Sequence, residues 1–136
     1  MSNRSIGNKF EDDFCRLLAS EGFWVHNMAQ NKAGQPADVI ACKNKTPFLI
    51  DCKVCEKDEF PLSRIENNQD TAMSLWNFRG NGTGWFALKM SYGVIYMMSH
   101  EKLIELKATN KKLNLKEIQT YGYAFYDWLF MENMLN

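Results

Sequence analysis

The sequence carries no net charge: 16 Lys and Arg are matched by 16 Asp and Glu. Bulk charge therefore gives no argument for nucleic acid or for an acidic membrane surface, and any basic footprint has to come from local segregation. No apolar run approaches the ~20 residues needed to span a bilayer. The first ten residues are polar, with Arg4 and Lys9 and no apolar core of a signal peptide. Cysteine is sparse, at Cys15, Cys42, Cys52 and Cys55, as expected of reduced thiols in a cytosolic protein. The lone CxxC, Cys52-Lys53-Val54-Cys55, has no second pair, and His26 and His100 are distant in sequence. Zinc binding or thioredoxin-like redox chemistry is accordingly the weaker reading. Internal repeats and linkers of domain-boundary length are also absent. A chain of 136 residues with 46% hydrophobic content suits one compact domain and is short for two.

What the chain does have is a pair of short apolar β-runs that each carry an acid. They are Pro36-Ala37-Asp38-Val39-Ile40-Ala41-Cys42 and Pro47-Phe48-Leu49-Ile50-Asp51-Cys52-Lys53, joined by a polar turn over 43–46. Strand alternation sends Asp51 and Lys53 to the same side. A buried carboxylate and ammonium cost free energy unless they are paired, hydrogen-bonded or bound to metal. Function is the natural compensation.

Around this hairpin the pattern predicts helices and further strands. Phe10, Phe14, Leu17 and Leu18 mark a helix over 8–21 that stops at Gly22, with Glu11 on the flank of its buried face. A strand over 23–28 and a polar loop over 30–35 lead into the hairpin. Beyond it, Ile65, Ala72, Met73, Leu75 and Trp76 predict a helix over 63–78, with Ser63 as N-cap and the run from Gly80 to Gly84 as its end. Strands over 85–90 and 93–98 follow, rich in aromatic and β-branched residues. Ser99 caps a short helix over 101–107, and a lysine-rich polar loop spans 109–116. The last segment is ambiguous: aromatics over 121–130 favour a strand, whereas 127–134 fits a terminal helix. Trp76, Phe78, Trp85 and Phe86 read mostly as core, and Cys15 and Cys42 as small core residues.

In order, then, the chain presents a helix with Glu11, a strand with Asp38, a strand with Asp51-x-Lys53 and a helix with Gln69. Metal-assisted phosphodiester hydrolysis needs these residue types in one place. Hard oxygen donors hold Mg²⁺ while leaving positions for water and phosphate. The metal polarises the phosphoryl oxygen, and a nearby lysine orients the attacking water or stabilises developing charge. Asp38 and Asp51 on adjacent strands can approach one ion, Glu11 can reach it from the covering helix, and the backbone carbonyl of Cys52 is a further oxygen.

With Gly7-Asn8-Lys9-Phe10-Glu11, Pro36-Ala37-Asp38, Ile50-Asp51-Cys52-Lys53 and Phe60-Pro61-Leu62-Ser63-Arg64-Ile65-Glu66-Asn67-Asn68-Gln69 in place, the sequence resembles the PD-(D/E)xK nuclease superfamily, and more narrowly the RecU-like Holliday junction resolvases. The D-x-K element alone is a common pattern, and the stretch from Phe60 to Gln69 is the more specific part. The resemblance implies an α/β, restriction-endonuclease-like fold with a mixed central sheet flanked by helices, as a single domain over 1–136. It also implies a homodimeric, Mg²⁺-dependent endonuclease, with Mn²⁺ as a substitute, that resolves four-way DNA junctions. Glu11, Asp38 and Asp51 would be metal ligands, Lys53 the catalytic lysine and Gln69 a supporting polar group. The family often has glutamate where this chain has Asp51. The short span before Asp38 leaves little room for a protruding stalk, so a compact phage-type resolvase, working in the cytoplasm of a bacterial or phage-infected cell, is the closer picture.

Plainer readings stand beside these. Asp38 can be a strand-start residue bonded to its turn, Asp51 and Lys53 an ion pair on an exposed edge strand, and Gln69 a solvated helix residue. Ile50 and Val54 favour an internal strand. Arg4, Lys9, Lys32, Lys57 and Arg64 flank the acidic elements and would give DNA a local positive track if the fold gathers them. Lys111, Lys112 and Lys116 read as a solvated loop. Two other functions stay open: a restriction-type or repair endonuclease of the same superfamily acting on duplex or flap DNA, and a non-catalytic DNA-binding domain of the same fold.

Overall fold

Ile6 extends the apolar stripe of Phe10, Phe14 and Leu18 by a turn towards the N-terminus. Helix α1 accordingly runs Asn3–Ser20, starting earlier than position 8, and Gly22 (φ 92°) stops it as expected. These elements come from a computed structural model that describes residues 3–28 and 37–135; the predicted loop over 30–35, with Lys32, and Pro36 lie outside the described residues. Strand β1 is Trp24–Asn27. The acid-bearing hairpin is β2, Val39–Lys43, and β3, Thr46–Cys55. Its turn residues Asn44 and Lys45 both adopt positive φ, 51° and 68°, the mirror-image turn whose twist suits a tight hairpin.

The second helix differs from its sequence pattern. Phe60–Pro61 forms a short strand β4, Leu62–Arg64 is one 3-10 turn, and α2 runs Asn67–Trp76 before a π-turn over Asn77–Asn81. Ser63 therefore lies inside the 3-10 turn and is not the cap; Glu66 takes that position, and its backbone N–H donates to Gln69 Oε1 at 3.2 Å. The π-turn breaks from helical geometry at Gly80 (φ 90°) and leaves Phe78 80% exposed, so Phe78 is not a core residue.

Strands β5, Trp85–Met90, and β6, Ile95–Ser99, follow, then α3, His100–Lys107, capped by Ser99 Oγ accepting from Lys102 N–H. The expected lysine-rich loop contains a short strand β7, Lys112–Leu113, and the start of α4, Leu115–Tyr121, whose N-cap is Asn114. The ambiguous last segment divides: β8 is Tyr123–Ala124 and α5 is Phe125–Leu135.

Six strands form one mixed sheet in the order β1-β2-β3-β5-β6-β8, and β4 pairs with β7 apart from it. Among the described residues, β3 and β5 are the one parallel pair of this sheet and its other neighbours are antiparallel. The register has one consequential offset. β2 opposes β3 from Lys43↔Thr46 to Val39↔Ile50, whereas β5 opposes it from Ile50↔Trp85 to Cys55↔Met90.

Helices α1 and α5 cover one face of the sheet, burying Phe10, Phe14, Leu18, Phe125 and Trp128 against Val39, Phe48, Ile50 and Trp85. The Trp128 ring lies 5.4 to 6.1 Å, centroid to centroid, from Phe23, Phe48, Trp85 and Phe125. Helices α2, α3 and α4 cover the other face through Met73, Leu103, Leu106 and Ile118 against Phe86, Leu88 and Met98. Cys52 and Cys55 are buried, while Cys15 and Cys42, expected in the core, are only half-buried. Among the described residues no helix is long and apolar enough to cross a membrane.

Candidate active site

The offset in β3 makes the site. Past Ile50, β2 no longer runs alongside, and Asp38, just before β2, takes its place: its N–H donates to Ile50 O at 3.2 Å, and its Oδ2 accepts from the Cys52 N–H at 2.9 Å. A side-chain oxygen thus occupies the seat a strand carbonyl would fill. Because the N–H and C=O of one strand residue leave on the same edge, the Cys52 carbonyl faces this opening as well.

Asp51 is 1% exposed. Its Oδ1 accepts from Gln69 Nε2 at 3.0 Å. Its Oδ2 lies 3.1 Å from Lys53 Nζ, an ion pair by distance, yet this oxygen has no hydrogen-bond partner among the described residues. Gln69 is oriented by its other end, which receives the Glu66 N–H. Arg64 is anchored as Nη1 donates to Val54 O at 2.9 Å and its guanidinium lies over the Phe60 ring. Together with Glu11 of α1 these groups line a cleft of about 730 Å³.

The acids in the cleft work against one another. Burial, followed by the charge of Asp38, raises the Glu11 carboxyl from 4.5 to about 7. The same two causes raise Asp51 well above the carboxylate range, with Lys53 opposing them. The lining holds Glu11, Asp38, Asp51, Glu56, Glu59 and Glu66 against Lys53, Lys57 and Arg64. An excess of hard oxygen donors, the buried Asp51 Oδ2 among them with only Lys53 Nζ to offset its charge, fits a divalent cation. Among the described residues no three His, Cys, Asp or Glu side chains form a ready cage. Mg²⁺ does not require one, since it keeps several waters and takes one or two carboxylates with substrate phosphate. Burial pushes the thiol of Cys52 well up and that of Cys55 to about 11. Both are therefore poor thiolate nucleophiles at neutral pH.

The structure therefore brings Glu11, Asp38, Asp51, Lys53 and Gln69 to one cleft, with Lys57 and Arg64 in its wall. Arg4 and Lys9 are exposed on α1 outside that lining, and Lys9 is paired with Asp13 at 2.9 Å. Sequence reasoning missed the acids Glu56, Glu59 and Glu66, which make the cleft wall acidic where a positive track was expected. Their place in the polar stretches flanking Phe60 to Ile65 was the available signal. Lys112, read as a solvated loop residue, pairs with Glu59 at 3.1 Å.

The sequence profile of the family described as Archaeal holliday junction resolvase (hjc) matches residues 2–131. Among solved structures, Archaeoglobus fulgidus Hjc, a Holliday junction resolvase from an archaeal hyperthermophile, superposes with a TM-score of 0.66 at 20% identity, covering 87% of this chain and 95% of that one. At that identity the likeness is one of fold. No curated protein sequence matches.

Proposed function

The chain belongs to the archaeal Holliday junction resolvase family, whose members are structure-selective, metal-dependent endonucleases, and we propose that it hydrolyses junction phosphodiesters in the cleft of Glu11, Asp38, Asp51, Lys53 and Gln69, with Mg²⁺, or Mn²⁺ in its stead, as the metal. The observation that carries this reading is the buried Asp51, held by Gln69 through one oxygen and facing Lys53 with the other. Asp51, Asp38, Glu11 and the Cys52 carbonyl are the groups that would hold the cation. When bound, such an ion supplies Lewis-acid polarisation of the scissile phosphoryl oxygen and acidifies a water.

The chain's own residues do the rest. Gln69 fixes the rotation of the Asp51 carboxylate, so that Oδ2 faces the cleft. Lys53 Nζ, beside that oxygen, is placed to orient the attacking water and to offset charge as it develops on the phosphate. Asp38 is fixed by the Cys52 N–H. Arg64, anchored to the strand by Val54, and Lys57 offer cations to flanking phosphates, which position DNA without reading its sequence. Arg4, Lys9 and Lys32 complete the proposed DNA contacts.

The proposal extends to a homodimer, supported by the fit of a two-fold protein to a two-fold substrate. It further takes residues 1–136 as one nuclease domain, supported by the continuous sheet from β1 to β8. Within the family, a compact, stalk-free build of the phage type is supported by the short span from Asn27 to Val39. Four free cysteines support the cytoplasm of a bacterial or phage-infected cell as its place of action.

The test is cleavage of a synthetic four-way junction beside its linear arms and a flap, with and without Mg²⁺. Metal-dependent cutting of the junction alone is expected. Equal cutting of flap or plain duplex would overturn junction selectivity, and metal-independent cutting would overturn the site. Sedimentation of the junction complex tests the dimer, and a strict monomer overturns it.

A further inference from the structure

Asp70 follows Gln69 directly and takes no part in the cleft. Its Oδ1 lies 2.7 Å from Nε2 of His100, a buried imidazole at the first position of α3. The backbone of His100 is itself tied down, for its N–H donates to Gly84 O at 2.8 Å. Gly84 immediately precedes β5, the strand whose Phe86 lies beside Asp51. It has no room for a side chain: a Cβ there would stand 2.6 Å from Cγ and Sδ of Met73, so α2 packs straight onto this backbone. The start of α2 is thereby held by two consecutive side chains, Gln69 to Asp51 and Asp70 to His100.

Consecutive helix residues project about 100° apart. A helix held at one point on its circumference keeps its freedom to roll; held at two such points, it loses that freedom. Gln69 supplies one of these points through Nε2 on Asp51, while its Oε1 is tied to the Glu66 N–H of its own helix. His100 is 4% exposed, and leaving its ring nitrogen without a partner costs the desolvation of that group, so the contact has a strong preference for being made.

We propose that Asp70 and His100 form a positioning pair that fixes the roll of α2 and so keeps Gln69 Nε2 on Asp51 Oδ1. The role of that contact in catalysis rests on the nuclease reading above; the positioning itself does not. In this arrangement Asp70→Ala and His100→Ala lower kcat for junction cleavage roughly ten- to a hundredfold with little change in KM. Asp70→Asn, which keeps an acceptor oxygen, and His100→Gln, which keeps a donor at similar reach, restore most of it. In a Gln69→Ala background, Asp70→Ala has no further effect.

The deciding measurement is the side-chain amide signal of Gln69 in a nitrogen–proton correlation spectrum of the full chain. Asp70→Ala is expected to move it towards the free-glutamine position, and Asp70→Asn to leave it in place. An unmoved Gln69 signal in a folded Asp70→Ala protein overturns the proposal, as does an equal loss of activity with and without Gln69. Should Asp70→Ala fail to fold, His100→Gln against His100→Asn gives the same comparison. Failure of the wild type to cut a junction would overturn the nuclease reading and leave the amide measurement intact.

Discussion

Strand β3 has two halves with different neighbours. From Thr46 to Ile50 it lies against β2, and Phe48, Leu49 and Ile50 are buried there among apolar side chains. From Ile50 to Cys55 it lies against β5, β2 has ended, and the side chains at 51 and 53 are a carboxylate and an ammonium. Each half is paired along one edge, the first with β2 and the second with β5, and Ile50 faces both. They differ in what fills the edge left open. Where β2 has ended, the Cys52 N–H holds Asp38, and the charged groups collect around that opening. The end of one strand thus turns the second half of its neighbour into a site, and most of the chemistry lies within a few residues of it.

The widest separation between the halves comes from Asp51→Asn and Lys53→Ala. Each is expected to reduce junction cleavage by at least about 10²-fold, while mobility-shift assays still detect junction binding. Their stabilities should diverge: Asn removes a buried charge at little cost, whereas loss of Lys53 leaves Asp51 uncompensated and costs about 3 kcal/mol in denaturant titration of the metal-free protein. Equal stability of the two variants would mean that Asp51 is already neutral. On the apolar side, Trp128→Ala should cost about 3–5 kcal/mol in the same titration, yet leave kcat near wild type at temperatures where the variant is folded. A selective loss of kcat would show that the two halves are not independent.

A smaller effect follows from Glu11. Its carboxyl is raised from 4.5 to about 7, so the folded state holds its proton more tightly than the unfolded chain does. That contribution to stability is fully present below 4.5 and is lost as pH rises through about 7. Cation affinity has the opposite slope, because the ligand must be ionised. Metal-free protein should lose stability across this window while Mg²⁺ affinity by calorimetry rises; Glu11→Gln should make both slopes shallower, the remainder belonging to Asp51. The smallest change is expected at Ser63→Ala, within about 0.5 kcal/mol by thermal melting, because Ser63 does not cap α2.

The alternation of Asp51 and Lys53 and the polar hairpin turn were legible because strand geometry translates directly from sequence order. So was Ser99, whose capping is a local bond. The boundaries of α2 were not. Apolar spacing from Ile65 to Trp76 suggested one helix, but Pro61 introduces a 3-10 turn and Gln69 cooperates with Glu66 to start the helix later, which depends on a side chain that also answers to Asp51. Phe78 was misplaced for a similar reason: periodicity marks a face, and the π-turn rotates that face into solvent. The cleft's acids were missed because Glu56, Glu59 and Glu66 sit in polar stretches that read as solvated, and only the fold turns them into the cleft lining.

The hairpin turn at Asn44 and Lys45 lies at the opposite end of β3 from the charged groups. Six residues of extended chain separate Lys45 from Asp51, a distance of about 20 Å, and both turn residues are solvent-exposed. A fluorophore or a tethering module attached there would ride on the strand that carries Asp51 without entering the cleft. Lys45→Gly would ease a backbone held at φ 68°, giving such a handle a more tolerant base.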